Sequence, residues 1–188
     1  MSKVIYALSV SLDGFVEAPG SDLSWSIPNA ELQRHLIERE RATRTCLYGR
    51  RLYETMAAHW PTADQNPSAS DFEIEYAQIW KAKKKIVFSR TLREVGWNAE
   101  LFTGDIATEI NRLKAQPDND MLVGGANLAA TFMRLGLVDE YRLYINPVVL
   151  GGGKPMFPPL REKINLNLIE TRLFGAIVLL RYANEKAA

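Results

Sequence analysis

Short apolar segments alternate along the chain with segments whose apolar residues recur every three or four positions. The pattern begins with strand-like VIYALSVSL (4–12), continues with a helical stretch over 26–43, and returns to a strand at TCLYG (45–49). Parallel strands need a long crossover connection, and a helix supplies it. The alternation therefore predicts an α/β fold whose sheet is mostly parallel and covered by helices on both faces.

The same alternation continues to the C-terminus. Further helices are predicted over 50–60, from Ser70 onward, and over 107–116 and 126–136, and further strands over 85–89, 121–124 and 139–151, with a polar loop at 61–70 that could be a mobile flap. Ser26 or Asn29 can cap the first helix, Asp105 can cap a later one, and Ser70 with Glu73 matches a capping box. Strands 166–174 and 176–183, joined at Phe174-Gly175, predict an antiparallel hairpin. The predicted fold class is a three-layer α/β domain with a mostly parallel mixed sheet and a C-terminal antiparallel hairpin.

Length and charge limit the possible functions. The 188 residues suit a single domain over 1–188. A net charge of +1 gives no support for general nucleic-acid binding, which needs a strongly basic face. The N-terminus lacks the segments of a secretory signal, and no run approaches the roughly 18 apolar residues of a membrane span. We therefore expect a cytoplasmic protein with neither a membrane nor a nucleic-acid partner.

The histidine and cysteine residues of the sequence give little support for a metal site or for a nucleophilic cysteine. His35 and His59 are the only histidines, and their spacing with Cys46, the only cysteine, does not resemble a zinc cluster. Cys46 lies in an apolar run, which favours a small buried hydrophobe over a nucleophile. No metal site is predicted.

Three segments place glycine, serine or arginine where a predicted strand ends. They are LYGRRLYE (47–54), VFSRTLRE (87–94) and LVGGANLA (122–129). Open α/β sheets bind ligands at the carboxyl ends of their strands, where helix N-termini present free N–H groups to anions. A phosphate-bearing ligand is the functional interpretation of all three segments.

Each segment also has an ordinary structural interpretation. Arg50 and Arg51 can be solvated side chains beside a tight turn at Gly49, and the two interpretations are evenly matched. Ser89-Arg90 suits a ribose 2′-phosphate, although a strand often ends in such residues simply to meet water. Two glycines between a strand and a helix, as at 124–125, are more often a turn than a site, and neither a G-x-G-x-x-G fingerprint nor a P-loop is present.

Two carboxylates are candidates for acid–base chemistry. Asp13, in SLDGF (11–15), follows the first predicted strand and can face a cleft, or its side chain can bond its own backbone in an Asp-Gly turn. Glu31, early in the first predicted helix, can supply a proton to a bound substrate, although the helix dipole alone favours an acidic residue there.

Taken together, SLDGFVE, YGRRLYE, KIVFSRTL and LVGGANLAATFMRLGLVDEYRLYINPVVLGGGKPMF resemble the dihydrofolate reductase-like superfamily. They are more closely similar to stand-alone proteins related to the C-terminal reductase domain of the bifunctional riboflavin-biosynthesis enzyme. The resemblance implies an NADPH site and a homodimer. The implied cofactor contacts are Ala7, Gly49, Arg50, Arg51, Ser89, Arg90, Gly124, Gly125, Ala126, Asn127 and Leu128.

The resemblance also implies a reaction. A hydride would pass from NADPH to a small heterocyclic or ribosylamine substrate, with Asp13 near the transferred hydride and Asp13 or Glu31 polarising or protonating the substrate. Reduction of 5-amino-6-(5-phosphoribosylamino)uracil is the specific activity suggested. Dihydrofolate reduction and NADPH binding without turnover are the alternatives, and the shifted spacing of Glu31 counts against folate. The deaminase half of the riboflavin enzyme needs a zinc motif that this sequence lacks.

Overall fold

The computed structural model describes residues 1–26 and 28–187. The helices are α1 (Ala30–Ala42), α2 (Arg50–Ala63), α3 (Asp71–Ala82), α4 (Ile106–Lys114) and α5 (Ala126–Arg134). The strands are β1 (Val4–Ser11), β2 (Phe15–Glu17), β3 (Thr45–Gly49), β4 (Lys84–Phe88), β5 (Ala99–Phe102), β6 (Met121–Gly124), β7 (Glu140–Asn146), β8 (Lys154–Pro155), β9 (Leu166–Phe174) and β10 (Ile177–Asn184). The chain divides into two compact units, one comprising Met1–Ser2 with Gln33–Gly125 and the other Lys3–Leu32 with Ala126–Ala188.

The first unit contains four parallel strands in the order β5-β4-β3-β6. Every residue of β3 except Gly49 is buried, as expected of a parallel strand that is covered on both faces. An apolar cluster built on Cys46, Tyr48, Tyr53, Trp80 and Val87 forms a core in this unit. Burial raises the pKa of the Cys46 thiol to about 11, so the only cysteine is an apolar core residue.

The second unit combines one parallel and two antiparallel pairings. Strand β1 pairs with β7 in parallel, β7 pairs with β10 antiparallel, and β10 pairs with β9 across a hairpin turn at Gly175. Strands β2 and β8 form a separate two-stranded ribbon. In both units together, four of these six main-sheet pairings are parallel, which confirms the predicted α/β class with a mostly parallel mixed sheet and a C-terminal antiparallel hairpin.

The helix caps follow the local sequence signals. The sequence offers Ser26 or Asn29 as the cap of α1, and the structure shows Asn29, whose Oδ1 accepts a hydrogen bond from the Leu32 N–H at 2.9 Å. Ser70 and Glu73 complete the capping box of α3. Asp105 accepts from the Thr108 N–H at 2.8 Å and caps α4. These contacts span three residues, so a short sequence window contains both partners.

Some elements differ from the predicted pattern. Helix α2 continues through Pro61 to Ala63, where a loop was expected, and both residues are buried. The long strand expected over 139–151 ends at Asn146, because Pro147 has no N–H to continue the ladder. Strand β5 and the β2–β8 ribbon were not predicted, since they are only two to four residues long.

Lys85 is a fully buried cation in β4 of the first unit. Its Nζ donates to the carbonyl oxygens of Lys83 at 2.8 Å and Trp97 at 2.7 Å, and also to that of Trp80. It lies 4.2 Å from the centroid of the Trp80 ring. Burial lowers the pKa of this ammonium group to about 8. The side chain thus ties the end of α3 to the segment that precedes β5.

Candidate functional site

In the first unit, the three predicted ligand-binding segments follow strands that lie side by side. Tyr48 of β3 is the register partner of Gly124 in β6, and Gly49 is the partner of Phe88 in β4. Because these strands are parallel, their carboxyl ends meet at one edge of the sheet. The structure therefore brings Gly49-Arg50, Ser89-Arg90 and Gly124-Gly125 to the same edge, as the strand order requires.

The N-terminus of α2 begins directly at this edge. Gly49 is the N-cap residue, in an extended conformation, and no side chain caps the helix. Arg50 and Arg51 are exposed in the first turn. Neither guanidinium group, nor that of Arg90, forms an ion pair within the part of the chain that the structure describes. Free helix N–H groups beside unpaired guanidinium groups are an arrangement that binds anions.

Ser89 shapes the turn that follows β4. Its Oγ accepts hydrogen bonds from the N–H groups of Thr91 at 3.2 Å and Leu92 at 3.1 Å. Its own N–H donates to the Phe102 carbonyl oxygen at 3.2 Å. The serine thus holds the turn closed, and its hydroxyl hydrogen can point toward the Thr91 Oγ1, 3.4 Å away, or toward an anion. Arg90 projects from this fixed turn as an exposed side chain.

Gly124 and Gly125 have separate structural reasons to be glycine. A Cβ at Gly124 would lie 2.6 Å from Cδ2 of Leu52 and 2.9 Å from Cε1 of Tyr48. Gly125 has a φ of +82°, in the left-handed region. The predicted turn at Gly124-Gly125 is therefore present. Because neither residue has a side chain, only backbone atoms lie at this end of β6.

The residues after this turn open α5. The side chains of Ala126 and Leu128 are buried, whereas Asn127 is exposed. Ala126 and Leu128 can therefore offer a ligand only their backbone, while Asn127 can also offer its amide.

In the second unit, Asp13 holds a loop together. One carboxylate oxygen, Oδ1, accepts from the Ser11 hydroxyl at 2.6 Å and the Leu150 N–H at 3.1 Å, and Oδ2 accepts from the Gly151 N–H at 2.8 Å. The hydrogen bond from Ser11, followed by those from the two backbone N–H groups, lowers the pKa of Asp13. At neutral pH this side chain is a carboxylate, which can act on a substrate by its charge but carries no proton to donate.

Glu31 is exposed in the first turn of α1. Its Oε1 lies 3.4 Å from a guanidinium nitrogen of Arg172 in β9. Arg172 in turn lies over the Phe174 ring, 4.6 Å from its centroid. The Asn29 amide donates to the Phe174 carbonyl oxygen at 2.9 Å, which fastens the start of the helix to the hairpin. Glu31 therefore has a cationic partner that the sequence did not reveal.

Ala7, the remaining predicted contact, lies in β1. It is half-buried, and its register partner is Arg142 in β7. Among residues 1–26 and 28–187, no group of three His, Cys, Asp or Glu side chains could hold a metal ion. Within the same residues, no helix combines the length and apolar character needed to cross a membrane.

Comparison with known proteins places this arrangement in a family. The model of the RibD C-terminal domain matches residues 2–180. The chain belongs to the RibD C-terminal domain family. A relative of this chain, the uncharacterized protein YyaP of Bacillus subtilis (strain 168), is 39% identical over 178 residues, which cover 94% of this chain and 92% of YyaP.

Solved structures share the fold of this RibD C-terminal domain family member. A proposed riboflavin biosynthesis protein from Shewanella sp. PV-4 has a TM-score of 0.75 at 23% identity, covering 97% of this chain and 99% of that one. A deaminase/5-amino-6-(5-phosphoribosylamino)uracil reductase from Thermotoga maritima scores 0.67 at 15% identity, covering 97% of this chain and 56% of that one. Dihydrofolate reductase from Enterococcus faecalis, complexed with NADP(H), scores 0.62 at 9% identity, covering 97% and 96%. The dihydrofolate reductase-like fold predicted from the sequence is confirmed.

Proposed function

We propose that this protein is an NADPH-dependent reductase. The observation that carries the proposal is the meeting of three parallel-strand ends in the first unit, where Arg50, Arg51 and Arg90 are exposed without ion-pair partners beside the uncapped N-terminus of α2. Membership of the RibD C-terminal domain family supports a reductase. Three guanidinium groups at one sheet edge suit a ligand with several phosphates better than a neutral one.

The residues at this edge fit the phosphates of NADPH. Gly49, Arg50 and Arg51 would bind phosphate through the helix N–H groups and two fixed charges. Ser89 and Arg90 would bind the 2′-phosphate, which distinguishes NADPH from NADH. The backbone from Gly124 onward, through Gly125, Ala126, Asn127 and Leu128, would contact the diphosphate, and the backbone of Ala7 would contact the nicotinamide.

When bound, NADPH supplies a hydride, and the chain supplies binding, orientation and charge. Asp13 would act as a fixed anion, because its hydrogen bonds keep it ionised. Glu31, which Arg172 restrains, would polarise the substrate or orient a water molecule that donates the proton. Both catalytic roles are proposals that the resemblance suggests and the observed contacts refine.

The substrate class proposed is a small heterocycle or ribosylamine, with 5-amino-6-(5-phosphoribosylamino)uracil as the first candidate. That candidate is favoured because the Thermotoga maritima protein of the same fold is named as its reductase. Dihydrofolate is the second candidate, since the Enterococcus faecalis enzyme also shares the fold. The homodimer, the cytoplasmic location and the single domain over 1–188 stay predictions.

The cofactor assignment is tested by titration calorimetry with NADPH and NADH. We expect wild-type protein to prefer NADPH and Arg90→Ala to lose most of that preference, because each charge-assisted hydrogen bond contributes about 1.5–3 kcal/mol. Arg161→Ala, which removes an exposed arginine from the segment before β9, is the matched control and should keep the preference. Absence of NADPH binding to the wild type would overturn the assignment.

The reaction is tested separately by following NADPH oxidation. Turnover with the ribosylaminouracil but not with dihydrofolate supports the proposed reductase, and the reverse result selects the folate alternative. Tight NADPH binding with no oxidation across a panel of heterocyclic and ribosylamine substrates would instead identify a non-catalytic NADPH-binding protein.

A further inference from the structure

A cavity of about 1010 Å³ lies in the second unit, beside the start of β9 and the end of β10. Its lining comes from three segments, which are 133–136 at the end of α5, 159–165 before β9, and 184–186 at the end of β10. This volume is at the upper end of the range for pockets that hold small molecules. None of the predicted cofactor contacts and neither catalytic carboxylate is among the lining residues.

Hydrogen bonds between distant parts of the chain hold the lining segments in place. The Glu185 N–H donates to the Asn165 carbonyl oxygen at 3.2 Å and joins the segment after β10 to the one before β9. The Asn184 side-chain amide donates to the Val138 carbonyl oxygen at 3.0 Å, which joins the end of β10 to the chain that follows α5. The cavity is therefore a product of the fold and not of one surface loop.

One part of the lining is apolar. Met133 is buried, Leu160 and Ile164 are half-buried, and Leu135 is 49% exposed. Small-molecule pockets are lined mainly by such side chains, with a few polar groups that fix the orientation of the ligand. An alkyl chain that lay against these four residues would leave water, and each buried methylene group would add to its affinity.

The rest of the lining carries an excess of positive charge. Four basic and two acidic side chains line the cavity, and one acidic group, Glu162, lies 4.0 Å from the ammonium group of Lys186. The side chains of Arg134, Arg161 and Lys163 are exposed and form no ion pair or hydrogen bond within residues 1–26 and 28–187. Three cations around an apolar cavity are therefore free to receive an anionic group.

The end of α5 is compatible with an anion, although a bare helix C-terminus repels one. The carbonyl oxygens of residues 131–133 accept hydrogen bonds from the N–H groups of residues 135–137, so the last turn leaves few acceptors free. Gly136, with a φ of +66°, turns the chain at this point. Arg134 adds a positive charge in the same turn.

We propose that this cavity binds a single-chain amphiphile with an anionic head group, of the fatty-carboxylate class. The chain would lie against the four apolar side chains, and the carboxylate would lie among the three unpaired cations. A neutral apolar ligand would leave these cations without a counter-charge, and a small anion would leave the apolar side chains in water. The site is built from the second unit alone, and the proposal does not rest on the reductase assignment.

The test is titration calorimetry of the full chain with decanoate, kept below the concentration at which it forms micelles. We expect decanoate to bind. Octanoate should bind about 15-fold more weakly, because it has two fewer methylene groups to bury. The neutral alcohol 1-decanol should bind about 10-fold more weakly than decanoate, because it cannot pair with the cations. Acetate, which has the charge without the chain, should give no detectable binding.

Variants separate this site from the cofactor edge. Arg134→Ala and Arg161→Ala should each weaken decanoate binding by about 10-fold and leave the affinity for 1-decanol unchanged. Both arginines are exposed, so thermal unfolding should match that of the wild type. Arg90→Ala, in the first unit, is the control and should bind decanoate normally. Arg161→Ala is in turn the control for NADPH, so failure of one proposal is distinguishable from failure of the other.

Several results would overturn the proposal. They are no binding of decanoate to the wild type, equal affinity for decanoate and acetate, and unchanged decanoate affinity in both arginine variants. Vesicles of phosphatidylglycerol distinguish a single bound molecule from a membrane surface. Co-sedimentation with these vesicles, without calorimetric binding of decanoate, would assign the cations to lipid head groups and would also contradict the proposed cavity ligand.

Discussion

Gly124 and Gly125 are adjacent glycines that the fold requires for different physical reasons. At Gly124 the limit is space, because a Cβ would overlap Leu52 and Tyr48. At Gly125 the limit is the backbone, whose φ of +82° disfavours any residue with a side chain. A sequence shows only the pair GG, so it cannot separate a steric requirement from a conformational one.

Replacement of Gly125 by alanine should destabilise the protein by about 1–2 kcal/mol, because this is the energy needed to hold an L-amino acid with a Cβ in the left-handed backbone conformation. The added methyl carbon would lie 3.5 Å from Cβ and 3.6 Å from Cδ2 of Leu52, so overlap adds little. Urea unfolding measures the difference. Gly96→Ala is the control, because Gly96 has open space around it and no positive φ. Equal effects of the two substitutions would contradict the conformational explanation.

The residues of the predicted site differ in how far the sequence could describe them. Arg50, Ser89 and Gly124 follow strands that a short pattern identifies, so their common edge follows from the fold class. Ser11, one partner of Asp13, lies two residues away, but its two backbone N–H partners lie 137 and 138 residues away in the glycine-rich segment after β7. The partner of Glu31 is 141 residues away. Long-range contacts of this kind depend on the tertiary fold, which no local window contains.

Helix α3 shows how completely a local signal can determine an element boundary. The Ser70 Oγ accepts from the Glu73 N–H at 3.3 Å, while the Glu73 carboxylate accepts from the Ser70 N–H at 2.8 Å. Both bonds join residues three apart, and both satisfy groups that the helix leaves unpaired. The helix therefore begins where the sequence predicts.

Replacement of Ser70 by alanine should reduce the free energy of unfolding by about 1 kcal/mol, the usual contribution of an N-cap side chain. Ser68→Ala provides the control, because Ser68 is also exposed in the loop before α3 and its N–H, not its side chain, makes the observed hydrogen bond to Asn66. Thermal or urea unfolding is the measurement. Ser68→Ala should be neutral, and an equal loss in both variants would refute the capping role.

The elements that the sequence did not predict are those that tertiary contacts stabilise. The hydrogen bond between the Asn98 amide and the Ala82 carbonyl oxygen, at 2.6 Å, leads into β5, which has only four residues. Pro61 remains in α2 although proline usually ends a helix, and its burial accounts for the extra turn. Hydrophobic periodicity is too weak a signal in such short or exceptional segments.

For the molecule as a whole, buried ionisable groups determine how stability depends on pH. Burial lowers the pKa of Lys85 to about 8 in the native state, from an ordinary value of 10.5. Between these values the unfolded chain binds more protons than the native chain, so stability rises with pH. Burial raises the pKa values of Tyr48 and Tyr76 above their ordinary 10.0, so above pH 10 stability is lost as the unfolded tyrosines ionise.

The stability of wild-type protein relative to Lys85→Met should therefore rise by about 2 kcal/mol between pH 8 and pH 10, as measured by urea unfolding at fixed ionic strength, because ionisation of the unfolded Cys46 thiol and of the tyrosines affects both proteins alike. Lys85→Met should be less stable at pH 8, because three carbonyl oxygens lose their donor, and should lack the rise. Lys84→Met, which changes an exposed neighbour in the same strand, should keep the rise. A Lys85→Met profile that still climbs over this range would assign the effect to another group.

Cys46 has a practical consequence for every distance measurement on this protein. It is the only thiol in the chain, it is 2% exposed, and its pKa of about 11 leaves it protonated at neutral pH. A cysteine introduced at an exposed position such as Asn167 would then be the one group that reacts with a maleimide spin label or fluorophore. The native chain is thus a ready background for site-directed labelling, with no prior removal of its own cysteine.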